Sequence, residues 1–278
     1  MKTLFVIILV LVLIIIGIFI GLQVPPHSFV MESSQHEGVI DTVQLPEGLP
    51  QPVEKFYQLV YGDSIPVIES AVISGSATMR LPSKGGIKFP GRFIFVHDVG
   101  KDYRHYIEVT LFGLPIMKVN EYFLDGKSRM ELPVGVSEGA KVDQGANLAL
   151  WAEAIWFPSV WLTDPQVHWE PIDENSAHLF VPFEDDEERI LVTFNPETGL
   201  IDEMQSMRYK EADSEKKTKW INQPQSWQMI DGYYFPLIGA ITWEDEGSPW
   251  AVFTVEDILY NTDVQDALIS DQPGSIEE

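Results

Sequence analysis

The sequence predicts an α+β fold that is mostly β. It should be one large twisted antiparallel sheet, half-barrel-like, packed on two short helices, with a transmembrane helix ahead of it. Three observations lead there. About ten segments alternate apolar with polar residues or favour β-branched and aromatic ones. The turn signals Asp125-Gly126 and Asp231-Gly232 sit between such segments, so neighbours pair antiparallel. Only two stretches of the soluble part carry helical spacing. Strands twist, so a sheet of this size curls rather than lies flat.

The first element is the membrane helix. Leu4 to Leu22 is a run of 19 residues with no charged or polar side chain. At about 1.5 Å per residue it spans about 28 Å, close to the roughly 30 Å hydrocarbon core of a bilayer. Leu4, Ile8, Leu11, Ile15, Phe19 and Leu22 are the expected anchor residues. The run is longer than a signal peptide's apolar region, and Gln23-Val24-Pro25-Pro26 follows it instead of small residues. It therefore reads as a retained anchor. Lys2 precedes it, and no Lys or Arg follows before Lys55. The positive-inside rule then sets a single-pass topology in the cell membrane, N-terminus cytoplasmic, domain outside.

Residues 24–50 read as an extracytoplasmic tether, rich in Pro and polar residues. A single domain over 51–262 fits the usual about 100 to 200 residues. Its first helix starts at Pro52, repeats Val53, Phe56, Tyr57 and Val60 at helical spacing, and is capped by Gly62. Strand patterns follow from Ala71 to Leu81, Arg92 to Val96, Tyr103 to Leu111, Pro115 to Leu124 and Ser128 to Leu132. Tyr103, His105, Ile107, Val109 and Leu111 share one face of theirs. The second helix runs from Gly145 to Phe157, with Leu148, Trp151, Ala152 and Ile155 on its stripe and Pro158 as its stop. Strands resume through Val167 to Glu170, Ala177 to Val181, Arg189 to Phe194 and Leu200 to Tyr209. Trp227 to Ile230, Tyr233 to Phe235, Leu237 to Trp243 and Trp250 to Leu259 close the domain. Residues 263–278 are acidic and aperiodic and read as a flexible tail.

Composition excludes several classes of partner. The net charge of -24 repels phosphate backbones, so nucleic acid is excluded as a partner. With no cysteine, disulfides, thiolate metal sites and thiol nucleophiles are excluded. No nucleophile elbow, zinc-protease helix, dinucleotide fingerprint or phosphate loop is present. None of the 6 histidines pairs at metal-binding spacing, so neither a metal nor another cofactor is expected. The acid run Glu184 to Glu188 lacks the spacing and the Gly of a calcium loop and reads as a solvated turn.

The candidate site comes from the tryptophans. Trp151, Trp156, Trp161 and Trp169 crowd the second helix and the strand after it. Such a group suits either a core or an aromatic pocket, with Glu153, Glu170 or Asp173 partnering the indole N–H groups. Glu153, Trp156, Trp169, Glu170 and Asp173 are therefore the candidate ligand-binding residues.

The order of short motifs resembles a prokaryotic family catalogued as a domain of unknown function. Leu49-Pro50-Gln51-Pro52-Val53 opens the match. Gly113-Leu114-Pro115, Tyr122 and Asp125-Gly126 follow, then Asp143, Gly145, Glu153, Trp156 and Pro158. Trp169-Glu170-Pro171, Asp173, Ala177, Asp231-Gly232, Pro236, Trp243 and Tyr260-Asn261 complete it. The resemblance implies one domain over about Leu49 to Asn261. It implies no activity and assigns no catalytic residue.

Three functions are weighed. The favoured one is a non-catalytic domain that binds a lipid-like or apolar ligand, or an envelope protein; its architecture resembles the lipoprotein-carrier half-barrel. The second is an envelope hydrolase pairing Glu153 with Glu170 or Asp173, which requires those carboxylates to share one accessible cleft. The third is an assembly subunit, with a filled core, an exposed apolar patch and the Gly17/Gly21 helix-pairing spacing.

Overall fold

The computed structural model describes residues 2–29, 40–133, 135–230 and 233–270. α1 (Lys2–Gly21) is the apolar N-terminal helix. β1 (Thr42–Gln44) pairs with β2 (Ser64–Pro66), and α2 (Gln51–Val60) lies between them in sequence. A meander follows: β3 (Ser70–Leu81), β4 (Ile87–Asp98), β5 (Asp102–Leu111), β6 (Leu114–Leu124), β7 (Lys127–Leu132) and β8 (Gly135–Glu138). α3 (Ala140–Glu153), a 3-10 turn over Ala154–Trp156, and α4 (Val160–Thr163) interrupt it. A second meander runs through β9 (His168–Asp173), β10 (Ser176–Phe183), β11 (Asp186–Phe194), β12 (Ile201–Arg208), β13 (Thr218–Ile230), β14 (Tyr233–Trp243) and β15 (Ala251–Tyr260). α5 (Gln265–Ile269) follows.

The two meanders join where β15 pairs antiparallel with β3, from Ala251 opposite Met79 to Tyr260 opposite Ala71. The result is one 13-stranded antiparallel sheet with β8 at one edge and β9 at the other. The link from one edge to the other is α3, and it contacts strands of both halves, including β7 and β12. The sheet therefore curves around the helix, as half-barrel geometry demands.

Every α3 residue from Asp143 to Glu153 is buried, so the helix has no solvent face. Its polar side chains are tied to the surrounding strands instead. Asp143 accepts from the Ser128 N–H at 2.7 Å and from Lys127 at 3.1 Å. Gln144 donates to the Met207 carbonyl at 3.0 Å, and Asn147 donates to the Pro182 carbonyl at 3.0 Å. A buried amide or carboxylate without such partners would cost about 1–3 kcal/mol.

Local turn chemistry sets the registers. Asp125 and Gly126 both adopt positive φ, 50° and 75°, and join Leu124 to its partner Lys127. Asn195 closes the β11–β12 turn by accepting the Glu197 and Thr198 N–H groups through Oδ1. Asp231 and Gly232 lie outside the described residues, while Ile230 and Tyr233 on either side of them pair.

The structure exceeds the sequence expectation in four places. Thirteen strands share the sheet where about ten were expected; short β8 adds an edge, while the expected segments Tyr233 to Phe235 and Leu237 to Trp243 run together as β14. The second helix begins at Ala140 rather than Gly145, since a helix buried all round shows no one-sided stripe to mark its start. Within the expected tether, Thr42–Gln44 forms a strand, while residues 30–39 lie outside the described ones. Within the expected tail, Gln265–Ile269 is helical. Val264 and Leu268 bury against Val72, Ile94, Val96 and Tyr106 on the convex face. That cover explains why these strands are apolar on both faces. Residues 271–278 lie outside the described ones.

Candidate functional site

The short run from Glu153 to Trp156, at the end of α3, faces two different environments. On one side lies an apolar cleft of about 690 Å³. Tyr61, Ile68, Trp156, Tyr233, Phe235 and Ile258 contribute to its walls. Trp156 is fixed there by its indole N–H, which donates to the Pro236 carbonyl at 3.1 Å. Gly239 makes room for it, because a Cβ at that position would sit 3.1 Å from the ring. Tyr260 donates to the Trp156 carbonyl at 2.5 Å, locking the turn from the other side. Burial pushes the phenols of Tyr61 and Tyr260 up, so these two groups stay neutral at physiological pH. Volume and lining match an ordinary site for an apolar small molecule, which occupies about 300–1,000 Å³.

On the other side lies a closed polar cluster. His97 on β4 and His105 on β5 flank the hairpin that turns at Gly100, where φ is +77°. The register sets His97 opposite Tyr103 and Phe95 opposite His105. Both imidazoles therefore point to the concave face, one step apart along the diagonal. Glu153 reaches them from the end of α3. Its Oε2 lies 2.7 Å from His105 Nε2 and 3.4 Å from His97 Nε2. None of these three atoms has a hydrogen bond of acceptable angle. The three residues are only 0%, 4% and 8% exposed for His97, His105 and Glu153.

A further layer holds the cluster. Tyr103 stacks on His105 with centroids 4.0 Å apart, and its hydroxyl donates to Glu121 at 2.7 Å. The other Glu121 oxygen lies 4.0 Å from His105 Nδ1. Burial alone would push the Glu153 carboxyl up. Its interactions with the adjoining His105 imidazole, aided by His97, outweigh that and hold the group down at about 2. Burial pushes His97 down against the opposing pull of Glu153. Arg208 brings the nearby positive charge, stacked between Trp220 at 4.9 Å and Trp243 at 5.6 Å.

The five candidate residues from the sequence fall in three places. Trp156 lines the cleft and Glu153 belongs to the polar cluster. Trp169, Glu170 and Asp173 lie on the edge strand β9. Trp169 packs edge-on against Trp161 at 6.0 Å, as part of the core. Glu170 is exposed, and exposed Asp173 closes its own turn by accepting from the Asn175 N–H and the Ser176 hydroxyl. Glu153 therefore shares no accessible cleft with either acid, which removes the geometric condition of the hydrolase reading. His97 and His105 escaped the search for paired histidines because their pairing is across a hairpin, not along one element. The cue was present: Tyr103 and His105 share a face, and a tight turn at Gly100 adds His97 to it.

Residues 38–255 match the Family of unknown function (DUF6544), and this span is most of the chain, so the protein belongs to that family. No curated protein matches it. Among solved structures, it is similar to a LolA superfamily protein from Nitrosomonas europaea, at 10% identity and a TM-score of 0.47, over 79% of this chain and 96% of that one. It is also similar to a DUF1329 family protein from Desulfovibrio piger, at 15% identity and a TM-score of 0.43, over 74% and 91%. A third is a putative outer membrane lipoprotein-sorting protein domain from Vibrio parahaemolyticus, at 8% identity and a TM-score of 0.39, over 71% and 88%. These are likenesses of chain path at low identity.

Proposed function

We propose that this member of the DUF6544 family is a membrane-anchored, non-catalytic binding domain that takes a lipid-like, apolar chain into the cleft beside Trp156. The observation that carries the reading is the cleft itself. It is open, walled by aromatic and aliphatic side chains, and free of a convergent catalytic group. Its acids, Glu256 and Asp257, are exposed. An apolar ligand gains about 25 cal/mol for each Å² it removes from water, without any charged partner.

The anchor reading rests on α1. Thr3–Gly21 is long and apolar enough to cross a membrane, and Leu4, Ile8, Leu11, Ile15 and Phe19 all point outward from it. Leu22 follows just past its end and is half-buried. The Phe112 N–H donates to the Gly21 carbonyl at 2.9 Å, docking the β5–β6 turn on the helix end. Phe112, Leu114 and Ile116 are exposed there, which suits contact with a bilayer surface. With Lys2 at the start of the helix and no Lys or Arg after it before Lys55, the domain lies outside.

Photocrosslinking tests the cleft. Full-length protein in membranes is exposed to a diazirine fatty acid, and labelled peptides are identified by mass spectrometry. Labels are expected around Tyr233, Phe235 and Ile258, and Leu237→Trp with Ile258→Trp should suppress them. Labels confined to α1 would show that the domain binds no acyl chain.

A further inference from the structure

We infer that His97, His105 and Glu153 form a binding site for one zinc-class divalent cation, pinning the end of α3 to the β4–β5 hairpin. One ligand atom from each residue lies within 4.8 Å of the others. Nothing in the cleft reading requires this site.

Three buried donor atoms converge here with no well-angled hydrogen bond among them. Glu153 Oε2 is close enough to both Nε2 atoms for hydrogen bonds, yet none forms with acceptable geometry. What the geometry does give is three donor atoms gathered within 4.8 Å of one another, close enough to share one ion. Buried polar atoms without partners are rare and call for a physical reason.

The surrounding groups are those of a metal site. A ligating histidine usually presents its far ring nitrogen to a carboxylate, which fixes the tautomer and raises ligand basicity. Here Glu121 stands behind His105 Nδ1 at 4.0 Å, just beyond hydrogen-bond reach, with the Tyr103 hydroxyl holding that carboxylate in place; the far nitrogen of His97 has no such partner. The rings are clamped as well: His105 lies between Tyr103 and Phe95, and His97 sits 5.1 Å from Phe157. Glu121 and Glu153 both act on the Arg208 guanidinium. With both imidazoles neutral, the form that ligates, the group carries net negative charge.

The donor set selects the ion. Two imidazoles and one carboxylate suit zinc and its first-row neighbours, while calcium and magnesium prefer all-oxygen shells. Three protein ligands leave a fourth position on a tetrahedral ion.

The test uses the detergent-solubilised full-length chain, stripped with a chelator and titrated with Zn²⁺ alone. One equivalent should bind, with a zinc K-edge spectrum that shows two imidazoles and oxygen donors. His105→Ala and Glu153→Gln should each abolish that equivalent, while His168→Ala with His178→Ala should keep it. Glu121→Gln should weaken binding by about 10- to 100-fold, the usual effect of removing a carboxylate behind a ligating histidine. Three results overturn the site: no stoichiometric zinc on the wild type, a spectrum with oxygen donors alone, or an equivalent retained by both ligand variants. The wild-type spectrum decides the matter even if a variant fails to fold.

Discussion

The two sides of the Glu153–Trp156 run use opposite physics. The cleft side is open and apolar. Several of its wall residues, such as Tyr233, are partly exposed, so each contributes area and few contribute position. The polar side is closed, and a few atoms with specific partners set it. Area adds gradually, whereas a buried polar group without its partner costs at once. The cleft should therefore tolerate substitution at its rim, and the cluster should fail in a stepwise way. One buried wall stands behind both without lining the cleft: Phe95 lies 4.1 Å from the His105 ring and 6.4 Å from Trp156 by centroids.

That wall gives the largest expected effect. Phe95 is 1% exposed and packs on Phe93 and Phe253 as well. Phe95→Ala should cost about 3–5 kcal/mol in chemical denaturation, the range for a buried Phe truncation. It should also weaken zinc binding and acyl labelling together. Loss of one with the other intact would mean the two sites are mechanically independent.

Tyr103→Phe separates them. It removes the hydroxyl that donates to Glu121 and leaves the ring stacked on His105. A hydrogen bond to a charged group contributes about 1.5–3 kcal/mol, so denaturant midpoints should fall accordingly. Zinc affinity should drop while acyl labelling stays at wild-type level. Equal loss of both would sink the idea that Glu121 acts only through His105.

Tyr260→Phe is the converse and is smaller. Its hydroxyl donates to the neutral Trp156 carbonyl, a bond of about 0.5–1.5 kcal/mol. Acyl labelling near Ile258 should redistribute as the turn loosens, and zinc stoichiometry should stay at one. A lost zinc equivalent would place Trp156 in control of Glu153.

Much of the fold was legible because its signals are local. Asp125-Gly126 demands a two-residue hairpin, and Asn195 to Gly199 closes a turn, so antiparallel pairing of neighbours follows. The pairing of β15 with β3 was not legible, since nothing local marks which distant strands meet. Three-residue β1 has too little pattern to stand out from a polar linker. The site divides in the same way. Trp156 was found from composition, because aromatic crowding is visible in sequence. His97 and His105 were missed because a side chain's face depends on hairpin register as well as on residue spacing. Glu153 was singled out, but its partners were sought on β9 rather than across the sheet.

The last comparison sets Glu153 against the acids once grouped with it. Glu170 is opposite His178 on the β9 edge, exposed, in a strand whose inward residue is Trp169. Alternation along a strand sends neighbours to opposite faces, so Glu170 points away from the side that holds Glu153. Glu170→Gln should leave the melting temperature, zinc stoichiometry and acyl labelling unchanged, within the error of calorimetry, titration and mass spectrometry. Any clear change in zinc binding would require the β9 edge to fold over the concave face and bring a second carboxylate to Glu153. That arrangement would restore the acid–base pair. Its absence leaves Glu153 committed to the two histidines, and leaves ligand capture in the cleft to shape and apolar area alone.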